Sequence, residues 1–249
     1  MASSPPVLIL GCGRSGTSIF GELFDGLAGY AYVSEPPFAD VVGSDFTRPL
    51  AFKVPRESDG YPAAAGLSFP LAALLRAAPD LRIFWIVRHP LDAICSLRAG
   101  VSKDWAHHPR PPDWRDWLDR PLVDRCAHHW AFLNQAGFAQ VDDRAVVVRF
   151  EAMLREPIAF ARSVCVLVGV DADRESAFIE RWAAQVQNTN NAAFVEAKTS
   201  RNHSRPDHEV RIGRWQENLT RDEVDHVWPI VIEPATRFGY ERLDHLDEA

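Results

Sequence analysis

The sequence has no apolar run approaching the ~18 residues that a membrane-spanning helix needs. Its first residues, "MASSPPVLILG", lack a basic stretch followed by a long apolar one, so no secretion signal is read there and a cytoplasmic location is predicted. Cysteine is scarce, with 4 in 249 residues. Cys12, Cys95, Cys126 and Cys165 stand far apart and form no C-x-x-C pair, which argues against a zinc site or a disulfide framework. All are expected to be reduced and mostly buried. Basic residues are outnumbered, 27 Lys and Arg against 34 Asp and Glu, for a formal charge of −7. That balance argues against general binding to nucleic acid or to an anionic membrane. Any anion site must therefore be basic locally. Repeats and low-complexity linkers are also missing. What remains, 47% hydrophobic and 24% charged residues, is an ordinary globular composition, long enough for one α/β domain with a sizeable core.

Strand and helix signals alternate along the chain. "PVLIL" is a short apolar run before glycines, and "TSIFGELFDGL" carries Ile19, Phe20, Leu23, Phe24 and Leu27 on one helical side. "YAYV" and "LAFKV" read as strands, and "SFPLAALLRAAP" as a helix ending near Pro79. "LRIFWIV" is the strongest strand signal; it has no polar face, so both of its sides should be covered. "PLDAICSLRAG" starts with proline and stops at glycine, the signature of a helix. Residues 101–120 break this rhythm with Trp105, Trp114, Trp117 and several prolines, and read as a loop or lid. "LVDRCAHHWAFLNQAGF" returns to helix and "RAVVVRF" to strand; "EAMLREPIAFARSVCVLVGV" and "DRESAFIERWAAQV" are helical, and 187–213 is polar and irregular. Thr220 and Glu223 form a capping box that opens a last helix, closing around Gly239. The expectation is a three-layer α/β fold with a central, largely parallel sheet, carrying its ligand at the carboxyl ends of the strands.

"LILGCGRSGTSIF" fits the phosphate-loop pattern G-x-x-x-x-G-K-[ST] from Gly11 to Ser18 except where Thr17 replaces the lysine. Gly11, Gly13 and Gly16 let the backbone approach an anion, with N–H groups of the turn and helix start pointing at it. Thr17 carries no charge to reach a γ-phosphate, and the cation here is Arg14, three positions earlier. A second departure follows. Phosphate-loop kinases place a metal-binding carboxylate at the end of a second apolar strand. Here "LRIFWIV" ends in Arg88, which repels magnesium and attracts another anion. Eight residues on, Ser96 lies on the helix that starts at Pro90, so arginine and hydroxyl can share one phosphate.

"GRSGTS" followed by "FWIVRHPLDAICS" resembles the PAPS-dependent sulfotransferases, where PAPS is 3′-phosphoadenosine 5′-phosphosulfate. "VVVRFEAMLREPIAFARSVCVLVGV" resembles that family's strand, acidic residue and helix, and "RIGRWQENLT" its glycine-tryptophan segment; together these landmarks span roughly residues 7–240. The resemblance implies that the first loop, with Gly13, Arg14, Ser15, Gly16, Thr17 and Ser18, holds the 5′-phosphosulfate. Arg88 and Ser96 would hold the 3′-phosphate. Such a donor has no γ-phosphate and the transfer needs no metal, which accounts for both departures. One branch of the family takes its base from a histidine two residues after a lysine; here Lys53 is followed at that place by Pro55. The carbohydrate and tyrosylprotein branches use a glutamate after the first helix, which implies Glu35 as base. Arg14 and Lys53 would stabilise the transferring group. Arg211 is a second candidate for the 3′-phosphate, with Gly213 and Arg214 beside it; Trp215 reads equally as a core residue or as one closing over the nucleotide. Glu151 reads as a helix-start carboxylate. His107 and His108 have no acidic or cysteine partner at ligand spacing and read as lid lining rather than metal ligands.

The function implied is transfer of a sulfuryl group from PAPS to a hydroxyl or amine of a small-molecule, sugar, lipid or peptide acceptor, releasing 3′,5′-ADP, with no metal. Residues 1–249 would form a single domain, with 101–121 as an acceptor-side lid and 187–215 as a nucleotide-covering loop. The rival readings are a small-molecule kinase using ATP and a non-catalytic module that keeps the PAPS pocket.

Overall fold

β1 (Val7–Gly11) is the middle strand of a five-stranded sheet with the order β2-β3-β1-β4-β5. The computed structural model describes residues 4–27, 29–56, 65–102, 104–186 and 212–243. In chain order the other strands are β2 (Ala31–Ser34), β3 (Leu50–Lys53), β4 (Arg82–Val87) and β5 (Ala145–Arg149). The helices are α1 (Thr17–Phe24), α2 (Phe38–Val42), α3 (Leu71–Ala77), α4 (Pro90–Val101), α5 (Leu122–Phe132), α6 (Phe138–Val141), α7 (Phe150–Arg155), α8 (Pro157–Leu167), α9 (Ser176–Gln185), α10 (Trp215–Asn218) and α11 (Arg221–Arg237). Every strand pair is parallel, as the strand–helix alternation predicts.

The apolar runs explain the layering. Successive side chains of a strand point to opposite faces. Leu8, Leu10, Phe52, Ile83, Trp85 and Val87 join one core with α3, α4, α5 and α11. Val7, Ile9, Ala51, Phe84, Ile86 and Val148 join the other with α1, α7, α8 and α9. β4 thus has no polar face because helices cover it on both sides. β5, at the edge, leaves Val146 and Val147 partly exposed. All four cysteines are free and buried.

Local differences have physical causes. The stretch 122–138 is α5 followed by a π-helical turn at Leu133–Gly137, which leads into α6. The stretch 151–170 divides at Glu156, because Pro157 pushes the residue before it out of the helical region and opens α8 at its own first turn. α2, five residues long, carries too little periodicity to be read from sequence. Within 101–120, α4 reaches Val101 and Trp114–Trp117 makes one 3₁₀ turn. The Thr220–Glu223 capping box is present, and α11 stays helical through Pro229 and Pro234. Its buried Val224, Val227, Trp228 and Val231 pack into the core that α5 shares, offsetting the two lost N–H donors.

Candidate functional site at the carboxyl ends of the strands

β1 delivers the chain into the glycine loop, where the Ser15 N–H donates to the Cys12 carbonyl at 3.2 Å. Arg14 takes a left-handed conformation, φ 68°, which is uncommon for a side chain with a Cβ and recurs at functional sites. Gly16 has φ 96°, and a Cβ there would stand 2.4 Å from the Phe150 ring. Conformation and space both demand glycine at that position. α1 starts at Thr17 with no side-chain cap and no acidic residue in its first turn. Its first N–H groups and positive dipole end face the loop. Ser15 is buried beside them, and its hydroxyl has no hydrogen-bond partner among the described residues.

The adjacent strand supplies charge. Arg88 follows β4, buried, and its Nη1 donates to the Arg14 carbonyl at 3.2 Å and to Ser96 Oγ at 3.3 Å. Its guanidinium lies over the Phe150 ring, 4.5 Å from the centroid. From the far end of the chain, Arg214 Nη1 donates to the same Ser96 Oγ at 3.1 Å. Arg14, Arg88 and Arg214 thus share one corner. Burial, with Arg88 and Arg214 beside it, pushes the Arg14 guanidinium down to about 10. Burial and Arg88 push Arg214 down as well. Among the described residues neither Arg14 nor Arg214 has an ion-pair partner. Cations crowded out of water favour whatever anion enters.

Asp92, in the first turn of α4, explains how Arg214 arrives. Its buried carboxylate accepts the Gly213 N–H at 2.8 Å and the Trp215 N–H at 3.1 Å. The residue between them is thereby held against Ser96. Gly213 belongs to this backbone clamp. Trp215 is fully buried in the core near α4, so of its two readings the structure supports the core one. Arg211 lies outside the described residues.

A second cluster sits where β2 and β3 end. Ser34 pairs with Lys53, and the Glu35 N–H donates to the Lys53 carbonyl at 2.8 Å. Lys53 is buried; its Nζ donates to Glu35 Oε1 at 2.8 Å and to Ser18 Oγ at 3.1 Å. Arg56, which sequence reasoning missed, binds Glu35 Oε2. Half-burial pushes the Glu35 carboxyl up, but Lys53 and Arg56 outweigh it and hold the group below the usual carboxylate range. Glu35 and Val54 both have positive φ, 55° and 43°, so the backbone bends sharply beside the Lys53–Glu35 pair. Ser18 ties this cluster to the glycine loop.

Other residues settle into supporting places. Glu151 accepts the His89 N–H at 2.8 Å and the Tyr240 hydroxyl at 2.7 Å, joining β4, α7 and the C-terminal segment. Trp105 is fully buried and donates to His129 Nδ1 at 3.1 Å, anchoring the 101–120 segment. Trp114 and Trp117 pack on the core from outside. His107 rests against Gly13 and Gly100. Among the described residues no group of three or more His, Cys, Asp and Glu is placed to hold a metal ion, and no helix is long and apolar enough to cross a membrane.

A model of the sulfotransferase family matches residues 65–174, a stretch that holds Arg88, Ser96 and Glu151 but not the glycine loop. No curated protein sequence matches the chain. Among solved structures, mouse sulfotransferase SULT7A1 complexed with PAP superposes with a TM-score of 0.57 at 13% identity, over 94% of this chain and 84% of that one. Sulfotransferase STF9 from Mycobacterium avium gives 0.55 at 15%, over 97% and 78%. Retinol dehydratase, in complex with androsterone and inactive cofactor PAP, gives 0.51 at 12%, over 98% and 84%. The likeness is one of fold.

Proposed function

We propose that the protein is a PAPS-dependent sulfotransferase acting on a hydroxyl or amine acceptor. The observation that carries this reading is the meeting of Arg88 and Arg214 on Ser96 Oγ, with Arg88 bonded as well to the Arg14 carbonyl of the glycine loop, beyond the ends of β1 and β4. The residues fit such a donor at both of its anionic ends. The turn N–H groups, the start of α1, the Ser15 hydroxyl and Arg14 suit the phosphosulfate. Arg88, Ser96 and Arg214, spanned by the Asp92 clamp, suit a ribose 3′-phosphate. A kinase would need a cation at the place of Thr17 and a carboxylate at the place of Arg88. The PAP in two of these neighbours, SULT7A1 and retinol dehydratase, is 3′,5′-ADP, the product this reading requires.

In the reaction the acceptor oxygen or nitrogen attacks sulfur in line with the bridging oxygen. The S–O bond to the 5′-phosphate breaks, and that oxygen leaves with the electron pair. The acceptor proton passes to Glu35, whose carboxylate is kept ionised by Lys53 and Arg56. Lys53 and Arg14 face the negative charge that develops on the departing bridging oxygen and persists on the sulfuryl oxygens. Positioned donors of this kind contribute roughly 3 kcal/mol each.

The test is a screen with sulfur-labelled PAPS against alcohols, phenols, sugars and amines, read as labelled product together with PAP. Enzyme-dependent label transfer supports the reading. Turnover of magnesium-ATP with no use of PAPS contradicts it.

A further inference from the structure

The segment after α4 turns back over the glycine loop, and His107 is the side chain that meets it. A Cβ on Gly13 would lie 3.2 Å from His107 Nδ1, and one on Gly100 would lie 2.3 Å from Nε2. The ring is thus wedged between the loop and the last turn of α4. His129 backs it, ring centroids 5.8 Å apart, and His129 is itself fixed by the hydrogen bond from buried Trp105. Nothing in the mechanism above uses this side chain.

Its protonation follows from the packing. Burial, with Arg14 and His108 beside it, pushes the His107 imidazolium down to about 4, against the opposing pull of Glu35. The ring is therefore neutral at ordinary pH and carries one proton. Nε2 is buried, has no partner among the described residues and presses on Gly100, the poorer place for that proton. The proton belongs on Nδ1, the nitrogen turned to Gly13. The groups whose charge acts on the ring are Arg14 of the glycine loop, His108, and Glu35 of the Lys53 cluster.

We propose that His107 is a further catalytic residue, a neutral Nδ1–H donor that the lid brings onto the transferring sulfuryl group. The inference rests on the sulfotransferase reading. A donor held in place before the reaction needs no reorganisation to hold the sulfuryl oxygens, which stay charged throughout, while the group passes to the acceptor.

The experiment compares PAPS and PAP binding by calorimetry, and PAPS breakdown to PAP, in the full chain and in His107→Ala, His107→Asn and Gly100→Ala. PAP lacks the sulfuryl group and so reports the rest of the pocket. His107→Ala should weaken PAPS about tenfold while leaving PAP within about twofold, the loss of one hydrogen bond to a charged group. His107→Asn, which restores an N–H donor, should recover most of that loss. Gly100→Ala should reproduce the loss without touching the nucleotide, because its methyl displaces the ring. Equal weakening of PAPS and PAP in His107→Ala, or an early thermal transition with both affinities lost, assigns the residue to lid packing and overturns the proposal. So does no change in either affinity. A full chain that binds neither PAPS nor PAP overturns the sulfotransferase reading itself.

Discussion

Glu35 sits where two demands meet. In the proposed mechanism it is the base, which must be ionised to accept a proton, and a cation on each of its oxygens keeps it so. Its carboxyl lies below the usual range, so the acid limb of kcat/KM should fall under the ordinary glutamate value of about 4.3. The sign is that of a depressed carboxylate: its contribution to folding is present above the unfolded pKa and is lost as pH falls through the lowered one. A pH–rate profile whose acid limb rises above 5 would assign the proton to another group. Replacing Glu35 with Gln removes the proposed base and keeps the shape. Turnover should drop by roughly 10²- to 10⁴-fold with PAP affinity unchanged in calorimetry. Survival of turnover within a few-fold would require a different base. Arg88 is read the same way. Arg88→Ala should weaken 3′,5′-ADP by about tenfold or more and 5′-AMP far less, since only the former carries the 3′-phosphate. Equal weakening of both would take the 3′-phosphate away from this arginine.

At the scale of elements, the corner beyond β1 and β4 depends on one carboxylate joining α4 to the segment before α10. Asp92→Ala strands two N–H groups, those of Gly213 and Trp215, at a cost of about 1–3 kcal/mol each if they stay dry. The thermal midpoint should fall, and PAP affinity should fall with it as Arg214 leaves Ser96. A variant with a lowered midpoint and unchanged PAP affinity would separate Arg214 from the nucleotide. Much of this region is legible in the sequence. The glycine spacing marks the turn after β1, the unbroken apolar run marks β4 as covered on both faces, and the eight-residue spacing places Ser96 beside Arg88. Lys53 and Glu35 become visible only through the resemblance, and the structure then pairs them through the register of β2 and β3. Asp92, Arg56 and His107 carry no such signal. Asp92 reads as an ordinary first-turn carboxylate on α4, and its partners lie 121 and 123 residues away. Arg56 is one surface arginine among many until β3 ends beside Glu35. His107 acquires a role only because α4 and the loop present glycines to its two ring nitrogens.

The whole molecule is acidic, with a formal charge of −7, yet it gathers buried guanidinium groups at the ends of its central strands. Those charges stand close to one another, so an anion bound among them should also stabilise the fold. Saturating PAP at about 100 times its Kd should add roughly 2.7 kcal/mol of stability. For a chain of this size each kcal/mol raises the thermal midpoint by about 2–4 °C. Added chloride or sulfate should reproduce only part of the shift, since a single ion fills one of the two anion positions. The most direct measurement is a calorimetric comparison of PAP with ATP, the latter with and without magnesium. The account predicts tight uptake of PAP, loss of most of that affinity when the 3′-phosphate is removed, and weak, magnesium-independent binding of ATP. Tight magnesium-ATP binding together with indifference to the ribose 3′ substituent would contradict it.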